Sequence, residues 1–251
     1  MTVRPLAIVT GGKRRLGAEI AAKLAAAGYA LALVSHMDTP PEAALAEALK
    51  ANASEWHPFT FDLSAGDPAK LMDMIAAHFG RTADLLVNNA AMFGQDDWQT
   101  MTLATLEAHF GLNLFAPLLL SKALVQAAGP KARPAIVNIL DQRIVNPHHD
   151  QMSYTLSKQA LAASIRSMAA SFAGRARYNG VAPGLVIATD DYTAEQETRL
   201  AQMMPLGALP SPSAVADAVV YLAQAQDVTG QVIFVDGGAH LKSFDRDFMH
   251  L

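Results

Sequence analysis

Residues 135–158 read AIVNILDQRIVNPHHDQMSYTLSK. The opening run, 135–140, is apolar and largely β-branched, the pattern of a strand buried on both faces. Polarity begins at Asp141, a loop containing Pro147 follows, and a helical pattern starts at Ser153, which reads as the N-cap. Tyr154 and Lys158 lie four residues apart and so share one face of that helix. A phenol beside an ammonium suits proton donation, because the positive charge favours phenolate and draws the tyrosine toward working pH. Asp141, at the carboxyl end of the strand, stands where it meets that pair across a crevice. By itself a Tyr-x-x-x-Lys spacing is weak in a chain with five tyrosines, and a tyrosine at a helix start serves packing as readily as catalysis. The remainder of the chain decides.

Working outward, 6–10, 29–34, 56–61, 85–87, 177–181 and 231–235 read as further buried strands. Between them lie helical patterns at 18–27, closed by Gly28, at 41–51, opened by prolines, and at 69–79, stopped by Gly80. A long helix is expected over 103–128 with a kink near Pro117, and others over 153–172, 195–203 and 212–223. Buried-type strands alternating with helices define an α/β fold: a doubly wound, Rossmann-type parallel sheet with helices on both faces, three layers deep. No linker, repeat or low-complexity tract interrupts it, so residues 1–251 are expected to form one dinucleotide-binding domain.

Hydrophobic residues make up 51% of the chain and charged ones 17%, enough to fill a large core. A net charge of −4 gives no basic footprint for nucleic acid. The absence of cysteine removes disulfides, thiol catalysis and cysteine metal sites, and fits a reducing compartment. The apolar run at 6–9 is short for a signal peptide, and no uninterrupted apolar stretch reaches bilayer length. A soluble cytoplasmic protein is expected, with a small-molecule substrate and neither nucleic acid nor membrane as partner.

The turn after the first strand, Thr10-Gly11-Gly12-Lys13-Arg14-Arg15-Leu16-Gly17, follows a strand and opens a helix, the context of a phosphate site. Its glycines admit a pyrophosphate close to backbone N–H groups, although the spacing departs from G-x-G-x-x-G, and a plain tight turn is the alternative. Lys13, Arg14 and Arg15 suit an extra phosphate, as in NADP. Ser35 and His36 stand where a ribose-binding carboxylate is otherwise expected, and the first acid there is Asp38. Asn88-Asn89-Ala90 follows the fourth strand and is placed either to meet the cofactor or to form an ordinary Asx turn. Phe93, in the same loop, packs or stacks on a flat ring. His148-His149-Asp150 is not expected to bind metal, because neighbouring residues point apart and no second cluster matches it.

Taken together, the Thr10–Gly17 turn, Asp62, Asn88-Asn89-Ala90, Asn113, the Tyr154/Lys158 pair, Pro183-Gly184 and Asp236-Gly237-Gly238 resemble the short-chain dehydrogenase/reductase family over essentially the whole chain. Two departures from its common pattern narrow the likeness. Arg15 replaces the middle glycine of the turn, and Asp141 replaces a serine about a dozen residues before the tyrosine. Both are similar to pteridine reductases and dihydromonapterin reductases. The resemblance implies cofactor contacts at Gly11, Lys13, Arg14, Arg15, Leu16, Ser35, His36, Asp62, Leu63, Asn89, Ala90, Tyr154, Lys158, Pro183 and Gly184. It implies catalysis by Asp141, Tyr154, Lys158 and Asn113, with Asn113 holding a water behind Lys158. It also implies pterin contacts at Arg15, Phe93, Asp141 and Tyr154. A homodimer or homotetramer follows from the same likeness, through helices 103–128 and 153–172.

The physical sense of the serine-to-aspartate change is clear. A hydroxyl suits a ketone oxygen, whereas a carboxylate accepts from the amino and ring N–H groups of a pterin. It also raises the Tyr154 pKa, against Lys158, so the phenol works as an acid. Ala91 stands where related enzymes carry a serine near the pterin, and Met37-Asp38 where they carry an arginine. The expected function is NADPH-dependent reduction of a dihydropteridine to its tetrahydro form. The alternatives are a ketone or aldehyde reductase on the same fold, and a cofactor-binding protein without turnover. Residues 187–204 are expected to form a substrate lid.

Overall fold

A computed structural model describes residues 3–187 and 192–251. Its apolar runs form parallel strands β1 (Leu6–Thr10), β2 (Ala30–Ser35), β3 (Trp56–Thr60), β4 (Leu85–Asn88), β5 (Ala135–Ile139), β6 (Arg177–Pro183) and β7 (Val232–Val235). They lie in one sheet in the order β3-β2-β1-β4-β5-β6-β7. Every neighbouring pair is parallel, so each connection must cross the sheet, and helices make most of the crossings. The helices are α1 (Arg15–Ala26), α2 (Ala43–Ala51), α3 (Pro68–Phe79), α4 (Leu103–Phe110), α5 (Ala116–Ala127), α6 (Met152–Phe172), α7 (Ala194–Met203) and α8 (Pro212–Gln224).

The alternation of side chains along a strand explains the layers. In β1, Leu6 and Ile8 enter the core beneath α3, α5 and α6 with Leu71, Ile75, Leu124 and Ile165. Ala7 and Val9 enter the opposite core beneath α1, α2 and α8 with Ile20, Leu24, Leu49 and Val219. Truncating one such buried leucine to alanine costs about 2–5 kcal/mol. A smaller apolar cluster, Leu200, Met204, Ala239 and Phe248, joins α7 to the C-terminal segment.

Strand order reverses between β1 and β4, and the carboxyl ends of these two strands diverge into a crevice. Local signals set the helix ends near it. Asp67 caps α3 by accepting from the Ala69 N–H at 3.0 Å, Pro68 opens the helix, and Gly80, at φ +68°, closes it.

Two expectations are corrected. The 103–128 helix is not one kinked α-helix: a π-helical turn over Gly111–Phe115 separates α4 from α5. Pro117 has no N–H to return to the Asn113 carbonyl four residues back, and the wider turn absorbs that loss. Ser153 is not the N-cap of α6. The cap is Gln151, in a left-handed conformation, and Ser153 sits inside the first turn with its N–H and hydroxyl on the Asp96 carboxylate. The carboxylate satisfies from a distant loop the donors that a local cap would take. Leu103–Ala127, although interrupted by Glu107, His109, Asn113 and Lys122, is long and apolar enough, by length and composition, to cross a membrane. In the fold Leu114, Leu120 and Leu124 from its inner side join the core, and Phe115 and Leu119 lie on its exposed side.

Candidate active site

The β1–α1 turn is built for close approach. A Cβ on Gly17 would lie 2.1 Å from the Gly11 carbonyl oxygen, so only glycine closes the turn there. Asn89 braces it from the next strand: its amide donates to the Thr10 carbonyl at 2.9 Å. The Asn89 and Ala90 N–H groups donate to the Thr10 hydroxyl at 2.9 and 3.0 Å. Arg15 occupies a left-handed conformation, φ +53°, where a glycine carries no steric penalty. A side chain kept at a cost of about 1 kcal/mol or more points to a use for that side chain. The Arg15 N–H, at the start of α1, donates to the Glu42 carboxylate at 2.9 Å, an anion where the helix dipole favours one.

A crevice of about 780 Å³ opens beside this turn. It gathers Gly11, Lys13, Arg14, Arg15 and Leu16 from the turn and Ser35 and His36 from the end of β2. Asp62 and Leu63 follow β3, and Asn89, Ala90 and Phe93 follow β4. Asp62 holds its own loop, accepting from the Ser64 hydroxyl at 2.6 Å and N–H at 2.9 Å, and the hydroxyl bond chiefly lowers its pKa. Met37 and Thr39 line the crevice, but Asp38 between them does not. Lys13 departs from the expected free cation. It is 2% exposed and donates its ammonium to the Thr39 carbonyl at 2.9 Å, which makes it a strut between the turn and the loop after β2. The cradle, the adjacent cations and the size of the crevice fit a phosphorylated dinucleotide.

A second cavity, about 240 Å³, adjoins the first, with Arg15 and Phe93 lining both. Asp141, Arg143, Tyr154, Gly184, Leu185, Phe248 and Met249 line it too. The Tyr154 hydroxyl donates to Asp141 Oδ2 at 2.9 Å. The Phe93 ring, 49% exposed, meets the Tyr154 ring edge-on at 4.8 Å between centroids. Lys158, 3% exposed, donates its ammonium to the Ile139 carbonyl at 2.7 Å, and that ammonium lies 5.8 Å from the Tyr154 ring centroid.

The electrostatics follow from burial. Desolvation, then the Asp141 charge, push the Tyr154 pKa well above its ordinary value, because ionising the phenol would set two anions together. The cation that chiefly opposes this rise is Arg143. Desolvation lowers Lys158 to about 8, against a rise caused by Asp141.

Other expected residues divide. Asn113 does not face the cavities. Its amide clamps the Phe93 loop, accepting from the Met92 N–H at 2.8 Å and donating to the Met92 carbonyl at 3.0 Å and the Ser157 hydroxyl at 3.0 Å. Pro183 ends β6 opposite Val235, and Gly184 packs so tightly that a Cβ would lie 2.9 Å from Asp236 Cα. His148 is buried beside the rings of Phe244 and Phe248. Of the expected lid, residues 188–191 lie outside the described residues, and α7 forms its latter part. Arg143, Gln151, Asp247 and Met249 were not expected at the site. Only the Asp-x-Arg spacing at 141–143 hinted at the first, and nothing in the sequence ties 247–249 to it.

A family model described as Enoyl-(Acyl carrier protein) reductase matches residues 11–240. A protein described as a ketoacyl reductase of the granaticin polyketide synthase of Streptomyces violaceoruber is 31% identical over 250 residues, covering 94% of this chain and 96% of its own. Pteridine reductase 1 of Leishmania tarentolae is 31% identical over 281 residues, with the same coverage of 94% and 96%. The crystal structure of FolM alternative dihydrofolate reductase 1 from Brucella canis, complexed with NADP, superposes with a TM-score of 0.87 at 30% identity, covering 97% of this chain and 96% of its own. The fold agrees with these likenesses, and the chain belongs to the short-chain dehydrogenase/reductase family.

Proposed function

We propose that this protein is an NADPH-dependent reductase of a dihydropteridine, of the dihydromonapterin or dihydrobiopterin kind, giving the tetrahydro form. The observation that carries the reading is the 2.9 Å bond from the Tyr154 hydroxyl to the Asp141 carboxylate at the floor of a cavity walled by Phe93. Likeness to a pteridine reductase and to an alternative dihydrofolate reductase complexed with NADP supports it.

Gly11, Leu16, Asn89 and Ala90 hold the pyrophosphate side of the cofactor, and Arg14, Arg15, Ser35 and His36 its additional phosphate. Lys158 and Tyr154 hold the nicotinamide ribose. Bound NADPH supplies hydride to the carbon of a ring C=N. Phe93 and Arg15 keep the heterocycle flat against that position. Asp141 accepts from the pterin amino and ring N–H groups, and Tyr154 gives its proton toward the ring nitrogen, replenished from solvent. Its raised pKa keeps it protonated, as a donor requires. Asn113 keeps Phe93 in place by clamping Met92. A dimer or tetramer is part of the same reading, supported by the exposed apolar side chains Leu103, Phe115 and Leu119, and solution mass measurement tests it.

The test is NADPH oxidation followed spectrophotometrically with a panel of dihydropterins and a panel of ketones. Turnover of a dihydropterin supports the reading. Turnover of ketones alone would replace it with a carbonyl reductase, which the ketoacyl reductase relative favours. A Tyr154→Phe variant that loses nothing measurable would replace both with a binding protein.

A further inference from the structure

A deeply buried cation beside the site is left unused by the scheme above. Arg143 lies in the loop after β5 with its side chain only 6% exposed. An arginine there must spend its donors on buried acceptors, and this one does. Its backbone N–H and its Nε donate to Asp141 Oδ1 at 2.9 and 3.2 Å. One terminal nitrogen donates to the Gln151 side-chain carbonyl at 2.6 Å, the other to Asp247 Oδ2 at 2.6 Å. Its guanidinium also lies 5.2 Å from the Tyr154 ring centroid and 5.7 Å from that of Phe93.

Asp247 comes from the far end of the chain and is itself fixed. Its N–H donates to Asp150 at 2.9 Å, and its second oxygen accepts from the Met249 N–H at 3.0 Å. Gln151 extends the brace through Gln95, whose amide reaches the Met249 sulfur at 3.3 Å. Asp247, Arg143, Asp141 and Tyr154 therefore form one line of charge-assisted bonds ending at the phenol. Because Arg143 engages Oδ1 of Asp141, Oδ2 is left for the Tyr154 hydroxyl and the substrate edge. Without the guanidinium, the buried Asp247 would lose its counter-charge, and Asp141 Oδ1 would keep only the backbone N–H of residue 143 to hold its orientation.

We propose that Arg143, anchored by Asp247 of the C-terminal segment, is the positioning residue that aims the Asp141 carboxylate at the Tyr154 hydroxyl. The inference rests on Asp141 and Tyr154 being the acid–base pair. It holds for a dihydropterin or a ketone alike. The C-terminal segment 247–251 is then a working part of the site as well as a wall of its cavity. Charged and titratable groups facing the pair are Lys158 on α6, Arg143, His148 and Asp150 in the loop before α6, Asp247 from the C-terminus, and Arg15 across the cavity.

The experiment compares Arg143→Met, Arg143→Lys, Asp247→Asn and the double variant Arg143→Met/Asp247→Asn in the full chain. It measures kcat and KM with NADPH and whichever substrate the wild type turns over, and NADPH affinity by fluorescence. An ultraviolet titration of Tyr154, referenced to Tyr154→Phe, completes the set. Arg143→Met should lower kcat about ten- to a hundredfold with NADPH affinity unchanged. Arg143→Lys should recover part of it, and the double variant should be little worse than Arg143→Met, since both changes cut one line. The Tyr154 titration should move upward in Arg143→Met, because a cation beside the phenol is gone. Unchanged kcat, additive losses in the double variant, or an unmoved tyrosine titration overturns the proposal. If Arg143→Met does not fold, Asp247→Asn alone decides, with a fall in kcat at constant NADPH affinity expected and no change refuting. If no pterin is turned over, the substrate reading fails, while the tyrosine titration still judges Arg143.

Discussion

Replacing Asp141 by asparagine isolates the carboxylate's charge from its shape. Asparagine keeps an acceptor oxygen near the Tyr154 hydroxyl, now 2.9 Å from Asp141 Oδ2, but the bond loses its ionic character. A charge-assisted bond is worth about 1.5–3 kcal/mol and a neutral one about 1, so roughly 0.5–2 kcal/mol is at stake. At 1.36 kcal/mol per tenfold, that is about a two- to thirtyfold fall. It should appear in kcat, because the bond serves proton transfer. NADPH affinity should not change, since Asp141 lines the smaller cavity and not the large crevice. The Tyr154 phenol should also ionise at lower pH, because the Asp141 charge is the second-largest cause raising it and the variant removes it. Stopped-flow NADPH oxidation, fluorescence binding and a tyrosine difference titration measure the three quantities. A wild-type kcat in the variant, or a loss confined to NADPH binding, would refute the role given to this carboxylate.

Three other outcomes are expected. Arg15→Gly should leave the fold equally stable or up to about 1 kcal/mol more stable in chemical denaturation, because it relieves a left-handed side chain at φ +53°, while NADPH and pterin binding both weaken; a strictly destabilised variant with intact binding contradicts this. Phe93→Ala should raise the KM for the heterocycle about three- to tenfold with kcat less affected, since the half-exposed ring, packed on the Tyr154 edge and Arg143, supplies stacking surface; steady-state kinetics checks it. The pH dependence has a definite sign. Lys158 titrates near 8 in the fold against an ordinary 10.5, so the unfolded chain binds more protons across that window and stability should rise with pH from about 8. Above about 10 the raised Tyr154 acts in reverse, because the native phenol keeps a proton that the unfolded one sheds. Denaturation at stepped pH should find the rise in wild type and a flatter curve in Lys158→Met; equal slopes would sink it.

The sequence by itself determined the architecture. Short, continuous apolar runs of the kind buried on both faces, with helix-length spacings between them, leave a parallel sheet as the way to bury both, and the observed strands fall within a residue or two of that reading. It also determined which residues gather at the carboxyl ends of the strands, because topology sends those ends to one edge. Gly11, Asn89, Asp141 and Tyr154 were legible for that reason. Tertiary structure alone decided what each group meets. Lys13 became a strut because Thr39 offered a carbonyl, and Asn113 a clamp because the π-helical turn carries it to the Met92 backbone. Ser153 lost its cap role to Asp96, 57 positions away. Arg143 and Asp247 are 104 positions apart and found each other only when the C-terminal segment packed over the cavity. Local pattern reports which runs are buried. It carries nothing about which two distant polar groups will share a dry interior, and there an unmet hydrogen bond costs about 1–3 kcal/mol.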